Sequence, residues 1–430
     1  MFPIRSIHVF SAILLVALAA RCGAAYWWQE RLDRQDQHFA FGDSESYWTL
    51  ATQIARGLPY EYGGPDAKIF RVPIYPLMIA PWIDVDDPYR NILAVRWMGC
   101  LLGTLAVAGV MYYAHLLFGR TAAAWAGILA ALHPGAISMS ILVLSEAPFV
   151  PMMVANLLLW RLAFNATRLR SVGGWASAAG AIAAVAVLAR PSWLLFAPFT
   201  CLLQFLCVPS QYRKTASMAL AMLIGFVVVM SPWWARSYQI TGHFVLTTLQ
   251  VGPSMYDGLH PGATGASDTG MSFNSDFAKQ QRLHDAQTAD PDSTFEYRLN
   301  QRMSQAAKTW ALENPAEVLR LAVVKVGRTW RPWPSADEIP GFAIRFASAA
   351  GMMIVVVPAL IGLWQHRRRG WEVWMLWAPA IYFTCLHAVF IGSMRYRLPA
   401  VLILTILAAP VWADWMNRII GRRSGNAAAT

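Results

Sequence analysis

The strongest constraint on this chain is a series of apolar runs, each close to the length that a helix needs to cross a bilayer. A hydrocarbon core about 30 Å thick is spanned by about 20 helical residues. No water is available there, so every backbone amide needs an internal partner and such spans must be helical. The runs cover residues 7–25, 92–117, 121–140, 141–160, 172–189, 193–208, 216–235, 342–364, 371–392 and 398–416. The sequence predicts an all-α polytopic membrane protein with about ten transmembrane helices.

Composition excludes two other classes. Only 14% of the residues are charged and 57% are apolar, whereas an ordinary soluble domain has about 25% charged residues. The net charge of +11 would suit nucleic acid, but the chain has no basic helix and no basic patch interleaved with aromatic residues. Many of its basic residues lie in short gaps between apolar runs instead. We therefore expect the bilayer as a partner and no nucleic acid.

The basic residues in short loops predict the orientation, because lysine and arginine favour the cytoplasmic side. If the first helix starts on the cytoplasmic side, that side receives thirteen basic residues. They are Arg5, Arg120, Arg161, Arg168, Arg170, Arg213, Lys214, Arg367, Arg368, Arg369, Arg418, Arg422 and Arg423. Both termini are then cytoplasmic, as an even number of helices requires.

Two long segments fall outside in this topology. The expected organisation is 1–236 with seven helices and a first external loop (26–90), an external region 237–340, and 341–430 with three helices and a cytoplasmic tail. The first loop carries Tyr47, Leu50, Ala51 and Ile54 at a helical spacing, which predicts a helix along the membrane surface. The second, larger region contains a Gly/Ser-rich stretch (252–272) and an expected helix over 293–313.

Arginines on the outer side run against the charge bias and are therefore informative. Arginine at mid-membrane costs about 3 kcal/mol on insertion scales, and a bound anion would offset part of that cost. For any one of them, snorkelling to the headgroups is the alternative. As a set they predict an outward-facing site for a phosphorylated ligand. The arginines are Arg71, Arg96, Arg190, Arg236, Arg328, Arg331, Arg395 and Arg397.

Asp43 stands at the start of the expected surface helix, where two roles are open. Aspartate is a preferred N-cap, and a carboxylate fixed in that way could also act as a general base. Glu45 lies about 200° further round the helix, so the two carboxylates do not form the pair that glycoside hydrolysis uses.

Metal ions and nucleotides have little support in the sequence. The external histidines His243, His260 and His284 show no tight ligand spacing, so we expect no required cofactor, with a divalent metal unsupported. The motifs GxGxxG, GxxxxGK[ST] and GxSxG are all missing from the sequence.

Several segments carry a resemblance to a known family. The stretch GDSESYWTLATQIARGLPY from Gly42, followed by RVPIYP from Arg71, resembles the first external loop of the GT-C superfamily of membrane glycosyltransferases. It is most similar to bacterial members related to protein O-mannosyltransferases and to the lipid A aminoarabinose transferase. Further similar segments are LSEAPF (144–149), LARPSWLLFAPF (188–199), SPWWARSYQITGHFV (231–245), NPAEVLRLAVVKVGRTWRPWP (314–334) and RYRLPA (395–400).

The resemblance implies an inverting transferase in the bacterial inner membrane, with its active site facing outward. Its donor would be a polyprenyl-phosphate-linked sugar, and its acceptor a lipid, a glycan or a protein. Asp43 matches the family's loop aspartate, which orients and deprotonates the acceptor. Arg71 matches a basic position of the aminoarabinose transferases that contacts the donor phosphate, although the acidic residue preceding that position is Phe70 here.

The remaining site candidates complete the prediction. Arg395 and Arg397 are the further candidates for the donor phosphate, because guanidinium groups can stabilise the charge that develops on a leaving phosphate. Glu146, Arg190, Tyr47 and Tyr75 are candidates for a substrate pocket. The alternatives from other classes are a secondary transporter of a small solute, and a non-catalytic cell-envelope assembly protein.

Overall fold

The computed structural model describes residues 4–64, 66–267, 275–287, 293–333 and 341–427. These residues form α-helices and short 3₁₀ turns, with no strand among them. The helices are α1 (Ile4–Asp33), α2 (Gly42–Ala55), α3 (Ile74–Ile79), α4 (Ile92–Leu132), α5 (Pro134–Ile141), α6 (Glu146–Asn165), α7 (Leu169–Ala189), α8 (Phe196–Cys207), α9 (Tyr212–Thr241), α10 (Val251–Gly258), α11 (Asp276–Ala286), α12 (Phe295–Glu313), α13 (Pro315–Trp330), α14 (Phe342–His366), α15 (Trp371–Trp374), α16 (Ala378–Val389) and α17 (Met394–Ala427). The all-α prediction is confirmed.

Seven helices in the described part of the chain are long and apolar enough to cross a membrane: α1, α4, α6, α7, α9, α14 and α17. Two further apolar segments, Pro191–Cys207 and Ala378–Val389, are shorter. The chain is thus a multi-pass membrane protein, and the predicted count of about ten spans is not confirmed. The difference arises because α4 contains two of the predicted runs and because two other runs form only short helices.

The longest helix, α4, shows why counting runs differs from counting helices. Its 41 residues include Gly119 at φ +83°, a left-handed conformation that favours glycine. A Cβ placed on Gly127 would lie 2.7 Å from Met111, so the chain turns back at Gly119 and its two halves pack side by side. Pro134 then begins α5, because proline suits the first turn of a helix and not its interior.

Small residues allow neighbouring helices to approach closely. A Cβ on Gly180 of α7 would lie 1.9 Å from the Met222 carbonyl oxygen of α9, and one on Gly225 would lie 2.0 Å from the Ser177 carbonyl oxygen. Membrane helices use such small residues to bring backbones into van der Waals contact, since burial against lipid-like side chains gives little driving force. These contacts fix α7 against α9, and α7 ends at Ala189, directly before Arg190.

The first loop packs against the bundle through the helix that the sequence predicted there. In α2, Tyr47, Leu50 and Ala51 are buried, with relative exposures of 5%, 1% and 0%. Tyr47 and Ala51 belong to an apolar cluster with Tyr75 of α3 and Ile92 of α4. This apolar face is covered by protein rather than left available to lipid, and the position of the helix along the membrane surface remains a prediction.

The second external region contains α10, α11, α12 and α13. The helix expected over 293–313 is α12, which begins two residues later and ends at the same residue. Of the Gly/Ser-rich stretch, residues 268–272 lie outside the described residues. The divisions at 236 and 340 remain a prediction.

Two groups of charged residues lie at opposite ends of the bundle. Glu146 begins α6, and Arg161 lies 15 residues further along it, about 22 Å away at 1.5 Å per residue. We call these the Asp43 end, with Asp43, Glu146, Arg190 and Arg395, and the Glu372 end, with Arg161, Lys214, Arg369 and Glu372.

Candidate active site

The Asp43 end holds a chain of five charged side chains with alternating sign. The Asp43 carboxylate oxygens lie 2.5 Å from Arg71 Nη2 and 2.7 Å from Arg395 Nη2. The Glu146 Oε1 atom lies 2.7 Å from Arg395 Nε and 2.8 Å from Arg190 Nη1. Three guanidinium groups therefore face two carboxylates. The formal surplus of one positive charge suits an anionic ligand.

Asp43 does not cap α2. The N-cap residue is Phe41, which makes no side-chain capping bond, and both carboxylate oxygens of Asp43 instead accept hydrogen bonds from guanidinium groups. Burial by itself would raise the pKa of Asp43, but Arg71 and Arg395 outweigh it and hold that pKa well below its usual range. The carboxylate is ionised, and its side chain retains 32% exposure.

Arg71 is held by polar and aromatic contacts together. Its Nε donates to Ser46 Oγ at 3.1 Å, and its Nη1 donates to Gln250 Oε1 at 2.9 Å. The guanidinium carbon lies 5.0 Å from the ring centre of Tyr47 and 4.9 Å from that of Phe70. Each such cation–π contact contributes on the order of 1 kcal/mol. Phe70, where the resembling enzymes have an acid, thus becomes part of the support for Arg71.

Arg395 links the two carboxylates at the start of α17. Its guanidinium contacts both Asp43 and Glu146, and its side chain is 22% exposed. The ring centre of Tyr396 lies 5.3 Å from the guanidinium carbon of Arg190 and 5.4 Å from that of Arg395. Glu146 is the most enclosed member, with 1% side-chain exposure. A charge at that depth needs an arginine partner, because an unpaired buried carboxylate would be strongly destabilising, and Glu146 has two.

Arg397 lies outside this group. It is 2% exposed, and its Nη1 donates to the carbonyl oxygens of Thr329 and Arg331 at the end of α13. Residues 395 and 397 are separated by about 200° around a helix, so they face different neighbours. The structure therefore brings Asp43, Arg71 and Arg395 together and directs Arg397 to a helix end.

The four pocket candidates fall into two groups. Glu146 and Arg190 belong to the charged chain. Tyr47 and Tyr75 pack edge to face at 5.3 Å between ring centres, and Tyr47 faces Arg71. Tyr75 is 1% exposed and packs against Tyr47, and its place in a substrate pocket stays a prediction.

Three residues of the site escaped sequence reasoning: Ser46, Gln250 and Tyr396. Ser46 could have been found from its position one helical turn after Asp43. Gln250 follows an ordinary loop sequence, and no spacing or motif distinguishes it. Tyr396 was visible only as a neighbour of Arg395, because its contact with Arg190 depends on the tertiary structure.

The side chains offer no evident cradle for a metal ion. Within the described ranges, no three His, Cys, Asp or Glu side chains lie together in the way that protein-held metal ions require. His243 lies with its ring 4.3 Å from Tyr297, and His260 lies with its ring 5.3 Å from Tyr256. The groups available to bind a phosphate at the Asp43 end are arginines.

Comparisons with known proteins place the fold. Over 98% of this chain, the structure matches the oligosaccharyltransferase of Archaeoglobus fulgidus in its apo form, with a TM-score of 0.60 and 15% identity, and it covers 52% of that protein. The complex of the same archaeal enzyme, AglB, with an inhibitory peptide and a dolichol-phosphate matches with a TM-score of 0.58 and 14% identity, over 99% of this chain and 52% of that one. The apo ArnT of Cupriavidus metallidurans matches with a TM-score of 0.39 and 15% identity, over 94% and 77%. The chain spans about half the length of the archaeal protein.

The fold is that of the GT-C membrane glycosyltransferases, which confirms the resemblance found in the sequence. Within that class, residues 73–235 match the family model of the dolichyl-phosphate-mannose-protein mannosyltransferases. The matched segment is less than half of the chain. It contains Glu146 and Arg190 and leaves Asp43, Arg71 and Arg395 outside. No curated protein sequence matches the chain.

Proposed function

We propose that this protein is an inverting glycosyltransferase that moves a sugar from a polyprenyl-phosphate donor to an acceptor on the outer face of a bacterial inner membrane, with both termini cytoplasmic. The observation that carries the proposal is the contact of one partly exposed carboxylate, Asp43, with two guanidinium groups. The GT-C fold supports it, and so does the dolichol-phosphate bound to a protein of that fold. The acceptor is a lipid, a glycan or a protein.

Asp43 is the general base of the proposed reaction. It takes the proton from the acceptor hydroxyl or amine while the acceptor atom attacks C1 of the donor sugar. The bond from C1 to the phosphate oxygen breaks, its electron pair stays on that oxygen, and the configuration at C1 inverts. General-base catalysis of this kind contributes roughly 10²- to 10⁴-fold.

Arg71 and Arg395 bind the donor phosphate and stabilise the charge that grows on it as the bond breaks. Hydrogen bonds to charged groups contribute about 1.5–3 kcal/mol each, and about 1.4 kcal/mol corresponds to a factor of ten in rate. Two arginines can therefore supply a few powers of ten without a metal ion. Arg397 is assigned to the end of α13, where its guanidinium is already engaged.

The ion pairs of Asp43 also set the sequence of donor binding and acceptor activation. While Arg71 and Arg395 hold Asp43, its lowered pKa makes it a weak base. A donor phosphate competes for the same two guanidinium groups, and each partner that turns toward the phosphate lets the pKa of Asp43 rise. The donor therefore binds before the acceptor is activated, so that the base acquires strength only when there is a sugar to transfer.

The direct test incubates the purified protein with a panel of polyprenyl-phosphate sugars and identifies by mass spectrometry which donor is consumed. We expect one donor to be consumed with inversion, and Asp43→Asn to bind it without turnover. Consumption at the parent rate by a folded Asp43→Asn protein would refute the assignment of the base. Uptake of a labelled solute into vesicles, without any sugar transfer, would favour a transporter instead.

A further inference from the structure

The segments that carry Arg71 and Arg395 are both held by the region 237–340. Neither arginine sits in the middle of a regular helix that would fix it: Arg71 precedes α3, and Arg395 lies in the first turn of α17. Each therefore depends on contacts made by the backbone just before it. On each side, a buried charged side chain of region 237–340 supplies such a contact.

Glu296 of α12 holds the segment before Arg71. Its side chain is 3% exposed, and its Oε2 accepts hydrogen bonds from the backbone N–H groups of Lys68 at 2.9 Å and Ile69 at 3.0 Å. One side-chain oxygen thus accepts hydrogen bonds from two consecutive backbone N–H groups. Residues 68 and 69 are therefore anchored three and two positions before Arg71.

Further hydrogen bonds hold the same backbone segment, residues 68 and 69. Leu249 donates its N–H to the Ile69 carbonyl oxygen at 3.1 Å, and the next residue, Gln250, accepts from Arg71 itself at 2.9 Å. On the opposite side, Arg236 Nη1 donates to the Lys68 carbonyl oxygen at 3.1 Å. The backbone before Arg71 is thus held at both its N–H and its carbonyl groups.

Lys325 of α13 holds the segment before Arg395. Its side chain is fully buried, and its Nζ donates to the Val389 carbonyl oxygen at 2.8 Å. Gly392 donates its N–H to the Gly265 carbonyl oxygen at 2.9 Å. A Cβ on Gly392 would lie 2.5 Å from the Lys325 carbonyl oxygen, so the segment 389–392 lies directly on α13.

From these contacts we infer that Glu296 and Lys325 are positioning residues for donor binding: Glu296 places Arg71 and Lys325 places Arg395, so that region 237–340 sets the spacing of the two guanidinium groups. The inference rests on the proposed function, because it assumes that both arginines bind the donor phosphate. Neither Glu296 nor Lys325 contacts the phosphate. Each acts through the one arginine whose backbone it anchors.

A pair of double-mutant cycles tests this assignment. The measurement is the Kd of the full-length protein in detergent for farnesyl phosphate, which carries the phosphate and a short prenyl chain without a sugar. We expect Glu296→Ala to raise the Kd about 10-fold, and to raise it little further in an Arg71→Met background. The same substitution in an Arg395→Met background should still have its full effect, because residues without shared partners act additively.

The second cycle is the mirror image. Lys325→Met should raise the Kd about 10-fold, lose that effect beside Arg395→Met and keep it beside Arg71→Met. Glu296→Gln should bind nearly as well as the parent, because the amide retains an oxygen that can accept from Lys68 and Ile69. Exposed controls with the same change of charge are Glu313→Gln and Lys308→Met, both on α12, and both should leave the Kd unchanged.

The outcomes separate the two proposals. Additivity of Glu296→Ala with Arg71→Met and of Lys325→Met with Arg395→Met would overturn the positioning role while leaving the donor site intact. No binding of farnesyl phosphate by the parent protein would overturn both. Should Glu296→Ala fail to fold, Arg236→Met releases the same segment from the carbonyl side, and its cycle with Arg71→Met tests the same coupling, with additivity again overturning the positioning role.

Discussion

The two ends of the bundle use the same kinds of residue for different purposes. At the Glu372 end, Arg161 Nε lies 2.9 Å from Glu372 Oε1, but the other cations bind backbone. Lys214 Nζ donates to the carbonyl oxygens of Phe164 and Ala166, and Arg369 donates to that of Leu117. These carbonyls lie at or near helix C-termini, where cations also interact favourably with the helix dipole.

At the Asp43 end the arginines are paired mainly with carboxylates. A carbonyl at a helix end is an uncharged acceptor that the helix leaves without an internal partner, so an anionic ligand cannot take its place as a counter-charge for the cation. A carboxylate can be replaced by another anion of similar charge, as long as its own charge is compensated. Cations held by exchangeable partners are therefore able to bind a ligand, whereas cations held by helix ends stabilise the fold.

The largest change in transfer rate is expected from a substitution of Asp43. Asp43→Asn keeps the shape of the side chain and removes its charge and its basicity, so we expect the transfer rate to fall by roughly 10³-fold with the fold retained. The measurement is the initial rate of product formation, with donor binding recorded in parallel. The matched control is Glu372→Gln at the other end, which should change the rate less than about threefold.

The next effect concerns Arg395, which we propose binds the donor phosphate. Arg395→Met removes charge-assisted hydrogen bonds to the donor that contribute about 1.5–3 kcal/mol each, and we expect kcat/KM to fall about 100-fold. Asp43 keeps only Arg71 in this variant, so its pKa should rise and the activity profile should shift to higher pH. An unchanged pH profile together with unchanged kcat/KM would contradict the proposed role of Arg395.

A smaller effect is expected from pH, through Glu296. Burial raises its pKa to about 7, against hydrogen bonds from Ile69 and Lys68 that lower it. The native state therefore binds a proton more tightly than the unfolded state, and this contribution to stability is lost as pH rises toward and through 7. Between pH 5.5 and 8 the loss is about 2 kcal/mol by linkage. Thermal unfolding of the parent should show it, and Glu296→Gln should remove that part of the pH dependence.

The smallest effect on activity is expected at the Glu372 end. Arg161→Met removes an ion pair whose arginine side chain is 14% exposed and whose glutamate is 26% exposed. We expect stability to fall by about 1 kcal/mol, with a transfer rate within twofold of the parent. The midpoint of thermal unfolding and the rate, measured on one preparation, check both. A loss of transfer rate as large as that of Arg395→Met would contradict the proposal that the Glu372 end stabilises the fold without taking part in transfer.

Local features explain the part of the site that could be predicted. Asp43, Arg71 and Arg395 stood out because a charge next to an apolar run is costly and because their segments resemble a known superfamily. The helix after Asp43 followed from its apolar spacing. The burial of Tyr47 within the protein did not follow, since the spacing of an apolar face does not say whether lipid or protein covers it.

Arg397 shows the corresponding failure. Arg397 lies two residues from Arg395, and the sequence did not show which of the two would face Asp43. The separation comes from the end of α13, which presents the carbonyl oxygens of Thr329 and Arg331 to one guanidinium and not to the other. Glu296 and Gln250 escaped prediction for the same reason, since their partners lie 228 and 179 residues away in the chain.

The sequence alone determined that this protein lies in a bilayer and that its fold is all-α. It also showed the arginines that we propose bind a phosphate. Hydropathy and charge are properties of short segments, so the sequence displays them directly. Only the tertiary structure decided which charges meet. Asp43 and Arg395 are 352 residues apart in the chain, and an ion pair between them depends on a separation of a few ångströms that the packing of many helices sets together. Electrostatic attraction at that range is strong enough to define a site, but the pairing follows no regular spacing in the sequence from which it could be predicted.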